Sequence, residues 1–166
     1  WYLGKNPKHS VMVASYSKPL AATFGHKIKG KMESDLHLSV FPQSKLSQNT
    51  HAHDFFTTQK GGAFYAVGFD GSMTGKRVNL FVMDDPLKNQ EEADSEAREV
   101  FLMSQYETSI KTRLQPGGRI VLSTTRWGMR DFAARILEKE GTIDQGGDWT
   151  VLKIKAEDPP GCGTYL

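Results

Sequence analysis

The sequence predicts an α/β fold, an open and mostly parallel sheet with helices on its faces. Three observations carry that expectation. Short apolar runs alternate with stretches of helical periodicity in the order β-α-ββ-β-α-β-α-β. The run Val11 to Ser15 is almost wholly apolar, the pattern of a central strand covered on both faces. Two later runs end in clusters of acids or hydroxyls, and in open parallel sheets chemistry gathers at the carboxyl ends of the strands. With 166 residues, 38% of them apolar, 10% aromatic and 24% charged, the chain favours one globular domain and excludes disordered, collagen-like and coiled-coil classes.

Taken in order, the first strand is Val11 to Ser15, after a turn at Asn6-Pro7. Ser17 then caps a helix that accepts Pro19 in its first turn, places Leu20, Phe24 and Ile28 at helical spacing, and gathers Lys27, Lys29 and Lys31 towards its C-terminus. Residues 34–50 look irregular. Two β-rich runs, Phe55 to Gln59 and Ala63 to Gly68, are joined by the hairpin sequence Lys60-Gly61-Gly62. The strand Val78 to Met83 ends at Asp84-Asp85-Pro86, where proline forbids an interior ladder. Acids crowd the start of a predicted helix from Glu91 to Arg113, with Ala93, Ala97, Val100, Phe101 and Ile110 near one face, and Gln115-Pro116-Gly117-Gly118 breaks it. A buried strand Ile120 to Ser123, a helix from Asp131 to Glu140 and a last strand Trp149 to Ile154 complete the set.

Charge is unevenly spread: residues 1–60 carry a net +5 and all five His, and the remainder carries −3. A basic end can face phosphate, although a solvated lysine face is the commoner explanation. The sole cysteine, Cys162, forms no internal disulfide and anchors no cysteine-based zinc site, which fits a reducing compartment. No apolar run reaches membrane-spanning length, and a cytosolic protein is expected. Because the chain opens at Trp1 and runs at once into structured sequence, it reads as a fragment.

The sharpest local feature is Leu80-Phe81-Val82-Met83-Asp84-Asp85, an apolar strand that delivers two carboxylates where it emerges. This is the Walker B arrangement of nucleotide hydrolases: the strand presents Asp84 rigidly to a Mg²⁺ shell, and Asp85 orients or activates the attacking water. An apolar strand ending in an Asp-Asp-Pro turn is the plainer alternative. A second cluster follows the next strand, where Ser123, Thr124 and Thr125 can sense a γ-phosphate or hold a water and Arg126 can neutralise developing charge. Its plainer alternative is a hydroxyl cap for the following helix with Trp127 packed in the core. Gly71 to Arg77 invites a phosphate-loop reading and fails it, since Asp70 holds the first glycine position, Arg77 the hydroxyl position, and a strand follows. Lys76 and Arg77 are left as cations ahead of the acidic strand. His51 and His53 share one face of an extended segment, but two ligands without a third favour an exposed polar strand over a metal site.

Together these stretches resemble the ATPase domain of the large subunit of DNA-packaging terminases, especially of the tailed-phage kind. The resemblance rests on Val11 to Ser17 with Leu20-Ala21, Gly68 to Gly75, Leu80 to Asn89 with Glu92 to Ser95, and Thr125-Arg126-Trp127, in the family's order. It implies a P-loop NTPase-type sheet whose first strand and phosphate loop lie upstream of Trp1, within a single partial ATPase domain over 1–166 whose last residues, about 156–166, begin a linker towards a nuclease domain. It implies ATP and Mg²⁺ as cofactors, Asp84 as the metal ligand, Asp85 as the catalytic carboxylate, and Ser123, Thr124 and Thr125 as the coupling motif. An arginine finger acting across subunits falls on Lys76 or Arg77. The implied partners are double-stranded viral DNA, the portal, the small terminase subunit and further copies in a ring, with no membrane, in the cytoplasm of the host cell. Another ring or helicase-type translocase, or a nucleic-acid-binding module that hydrolyses nothing, are the alternatives.

Overall fold

The computed structural model describes residues 1–48, 52–71, 73 and 75–154. Its centre is a five-stranded sheet built from β1 (Ser10–Ser15), β2 (Phe55–Thr57), β3 (Ala63–Gly68), β4 (Val78–Asp84) and β5 (Leu114–Ser123), in the spatial order β2-β3-β1-β4-β5. Only β2 runs antiparallel to its neighbour; the other pairings are parallel. The α/β expectation therefore holds, with β1 in the middle as its apolar run required.

Because side chains alternate across a strand, the sheet has two differently furnished faces. On one, Met12, Ala14, Phe81 and Met83 pack with Leu102, Tyr106, Ile110, Phe132 and Ile136 from the helices. On the other, Val11, Val13, Phe64 and Ala66 pack with Leu3, Ala21 and Met32. The second face is covered by α1 (Tyr2–Lys5) and α2 (Lys18–Glu33). Ser17 caps α2 as expected, its hydroxyl accepting from the Leu20 amide at 3.4 Å, with Pro19 in the first turn.

Four expectations need correction. The stretch 34–50 is not wholly irregular: Ser34 accepts from the His37 amide and starts α3 (Asp35–Val40), and a 3₁₀ turn spans Pro42–Ser44. The long acidic helix is interrupted, since Asn89 caps α4 (Gln90–Ala93) and Ser95 caps α5 (Glu96–Gln105) afresh, followed by a π turn at Tyr106–Ile110 and a 3₁₀ turn at Lys111–Arg113. Its buried stripe is Leu102, Tyr106 and Ile110, at intervals of four, whereas Val100 is 63% exposed. Gln115 to Gly118 do not precede β5 but lie inside it, where a register shift against β4 and a positive φ at Gly117 absorb the irregularity. Finally, Trp149 to Ile154 form no strand. Trp149 makes a single bridge to Thr142, because its indole Nε1 donates to Glu140 at 2.7 Å and anchors the segment against α6 (Phe132–Glu140) instead. Cys162 and the 156–166 linker lie outside the described residues. Among those described, no helix is long and apolar enough to cross a membrane.

Glu140 collects three donors: the Trp149 indole, Tyr106 Oη at 2.6 Å and Lys111 Nζ at 2.7 Å. Burial by itself raises its pKa, but the Lys111, Tyr106 and Trp149 donors outweigh burial and hold the carboxyl below its ordinary 4.5. A depressed folded pKa gives stability that is present above 4.5 and lost as pH falls through the folded value. Acid denaturation should accordingly begin below that pH and be shallower in Glu140→Gln, which chemical denaturation across a pH series measures. In the core, Phe81→Ala should cost about 3–5 kcal/mol, because the ring is fully buried between sheet and helices. Met129→Ser, at a side chain 94% exposed, should change the urea midpoint hardly at all.

Candidate functional site

The parallel register brings three polar residues into one row. Ser15 pairs with Asp84, and Asp84 with Ser123, at the carboxyl ends of β1, β4 and β5. Directly paired residues point to the same side, so all three stand on the face of Val13 and Val82. The acidic and hydroxyl clusters expected to share a site are thus neighbours in the sheet. Ser15 went unassigned in the sequence, where it passes for the last residue of an apolar strand. In the fold it is fully buried and its Oγ has no hydrogen-bond partner. The signal was a hydroxyl at the strand end level with the acid of another strand, visible only once the register is known.

Asp84 is half-buried, and burial, then the adjacent Asp85, raise its carboxyl above the ordinary value. Asp85 turns the chain sharply, with φ of +39°, the only non-glycine residue of positive φ among those described. Such a conformation costs on the order of 1–3 kcal/mol and persists where surroundings enforce it. Here two bonds do so: the Asp85 amide donates to the Ser123 carbonyl at 2.9 Å, and its Oδ1 accepts from the Thr125 amide at 3.1 Å. The acid therefore ties the end of β4 to the segment after β5.

That segment is held from its far side by Asp131, whose carboxylate is almost fully buried and serves as more than the expected helix start. It accepts from Arg126 Nε at 2.7 Å, from the amides of Trp127 and Gly128, and from the Ala134 amide as the cap of α6. Burial pushes its pKa up, but Arg126 and the Ala134 and Gly128 amides prevail and lower it. Arg126 also donates to the Gly128 carbonyl at 3.0 Å, so its guanidinium braces the loop. Thr124 Oγ1 donates to the Thr125 carbonyl, and Thr125 is exposed. The plainer alternative for this segment holds in part: Asp131, not a hydroxyl, makes the cap, while Trp127 does pack against the core.

Lys76 and Arg77 are not brought to the row. They precede β4 at its amino end, and the six steps from Val78 to Asp84 span about 20 Å. Lys76 Nζ sits 4.6 Å from the centre of the Tyr65 ring, and Arg77 is exposed. A strand does follow them, which agrees with the rejection of a phosphate loop there. Arg98, unremarked in the sequence, clamps the acidic turn: it reaches Asp70 at 2.8 Å and the Pro86 carbonyl at 3.3 Å. His51 lies outside the described residues, and with it the paired-imidazole reading; His53 is exposed.

An apolar groove of about 490 Å³ runs along the Val13 face, from Tyr2 and Leu3 past Val11, Val13 and Val82 to Asp84. Chemically, the row offers a carboxylate suited to a hard divalent cation, hydroxyls beside it, and a second carboxylate on a strained turn. Among the described residues no three His, Cys, Asp or Glu side chains cluster closely enough to cage a metal unaided. No family model and no curated protein matches this chain.

Asp84 is expected to limit stability. A raised folded pKa means that stability is greatest below the ordinary 3.8 and declines as pH rises through the folded value. Asp84→Asn should therefore raise Tm at pH 7 by roughly 1–4 °C, with the difference vanishing near pH 3. A thermal melt in which Asp84→Asn is no more stable than the parent at pH 7 would contradict this placement.

Proposed function

We propose that residues 1–166 are part of an ATP-hydrolysing motor domain of the terminase large-subunit type, which drives double-stranded viral DNA into a capsid. The observation that supports it best is the Asp84–Ser123 pairing with Asp85 bonded to the Thr125 backbone. An acid bonded to the hydroxyl segment through its amide and its carboxylate can transmit a change at one strand end to the other. In this reading Asp84 holds the Mg²⁺ of Mg-ATP, and Asp85 accepts a proton from the attacking water. Mg²⁺ supplies charge neutralisation between the phosphates, and the row fits it through carboxylate oxygen. Ser123, Thr124 and Thr125 form the segment whose hydrogen bonds report on the γ-phosphate.

The phosphate loop belongs, in this proposal, to a segment ahead of Trp1. The groove supports that placement. Its walls are mostly apolar, with Lys27, Lys31 and His37 among them, and they reach from α1 to Asp84. A helix entering α1 along it would begin beside Asp84, with its positive end towards the nucleotide phosphates. Lys76 and Arg77, remote from Asp84 in their own chain, act on a neighbouring subunit's nucleotide in a ring. The portal, the small subunit and a site in the host cytoplasm complete the proposal.

The test compares single variants in the protein that includes the preceding loop. Asp84→Asn should weaken Mg-ATP binding and turnover together. Asp85→Asn should keep affinity within a few-fold while single-turnover hydrolysis falls about 10²- to 10⁴-fold. Residues 1–166 by themselves should show no micromolar Mg-ATP binding by calorimetry. An Asp85→Asn protein hydrolysing at the parent rate would reduce the two acids to turn caps.

A further inference from the structure

Far from the acidic row, α2 and the loop entering β2 bring two imidazoles together that are 27 residues apart in sequence. His26 Nδ1 and His53 Nδ1 stand 3.2 Å apart, their ring planes crossing at 84°. Both side chains are exposed.

The contact is held from two sides. Gly25 lies under the loop, and a Cβ there would collide with the His53 carbonyl, so the loop backbone rests directly on the helix because residue 25 has no side chain. On the other side, the Asp54 carbonyl accepts from the Ala66 amide at 2.8 Å and the Asp54 carboxylate pairs with Lys18 Nζ at 3.0 Å. The residue after His53 is thereby fixed to β3 and to the start of α2. This bracing fixes the spacing of the two backbone segments from which the imidazoles project.

A tetrahedral zinc ion bonded to imidazole nitrogens at about 2.0–2.1 Å has a nitrogen-to-nitrogen edge of about 3.3 Å. The two nitrogens, 3.2 Å apart and hydrogen-bonded to each other, stand close to that edge, and an ion would take the place of the shared proton. We propose that His26 and His53 form a two-imidazole chelate for a divalent cation of the zinc and copper class, with water completing the coordination. The bound ion clamps α2 to the approach of β2. Imidazole suits Zn²⁺ and Cu²⁺, whereas Mg²⁺ prefers oxygen ligands and stays out. With no third protein ligand among the described residues, the affinity expected is micromolar. The inference is independent of the ATPase reading.

Calorimetry with zinc chloride tests it, alongside thermal melts. One zinc per chain should bind at micromolar affinity and raise Tm by several degrees. His26→Ala and His53→Ala should each weaken binding at least tenfold and remove the Tm rise, while magnesium chloride has no effect on either readout. Both substitutions are at exposed positions, and unchanged melts without zinc would show that each variant folds. Copper bound to the parent should show nitrogen hyperfine coupling in its electron paramagnetic resonance spectrum, reduced in either variant. No binding up to millimolar zinc, binding unchanged in His26→Ala, or one zinc shared by two chains would overturn the chelate.

Discussion

The register between β1, β4 and β5 is the constraint on which the candidate site depends. A one-residue slip of β4 would turn Asp84 into the packed helical face and bring Met83 out among the hydroxyls. Slippage is opposed by the burial of Phe81 and Met83 on one side and by the apolar residues around Val13 on the other. The same packing that stabilises the sheet therefore places a carboxylate level with two hydroxyls. Neither property needs a separate device.

At the strand ends the forces oppose stability. Asp84 is partly desolvated beside another carboxylate, Asp85 holds a left-handed turn, and the Ser15 hydroxyl is buried without a partner. Each costs free energy in the isolated fold. Arg98 and Asp131, one on each side, hold the strained turn and the segment after β5 in place. Such costs concentrated at one end of an otherwise well-packed sheet are why this row is the candidate site.

Much of the fold was legible because it depends on local patterns. The apolar run of β1, the Ser17 cap with Pro19, and the proline after β4 each act within a few residues. The errors arose where distant contacts decide the outcome. Trp149 has strand-like neighbours, yet its indole is taken by Glu140, and the acidic helix has a continuous composition that the Asn89 and Ser95 caps divide. In the site, Asp84, Asp85 and the hydroxyls stood out through adjacency to strand ends. Arg98, Ser15 and the bracing role of Asp131 did not, since each depends on a partner from another element. Arg126 stood out through its charge, and its bond to Asp131 was not visible in the sequence.

The order of the strands also has a consequence for how the chain acquires its shape. Both neighbours of β1, β3 and β4, are synthesised roughly fifty to seventy residues after it. At about 5–20 residues per second, this buried strand waits on the order of several seconds for its partners to leave the ribosome. During that interval α1 and α2, the elements next to it in sequence, can shield Val11 to Ala14. A central position that is safest in the finished sheet is thus the most exposed during its making, and nascent-chain aggregation should be governed by this segment more than by either edge.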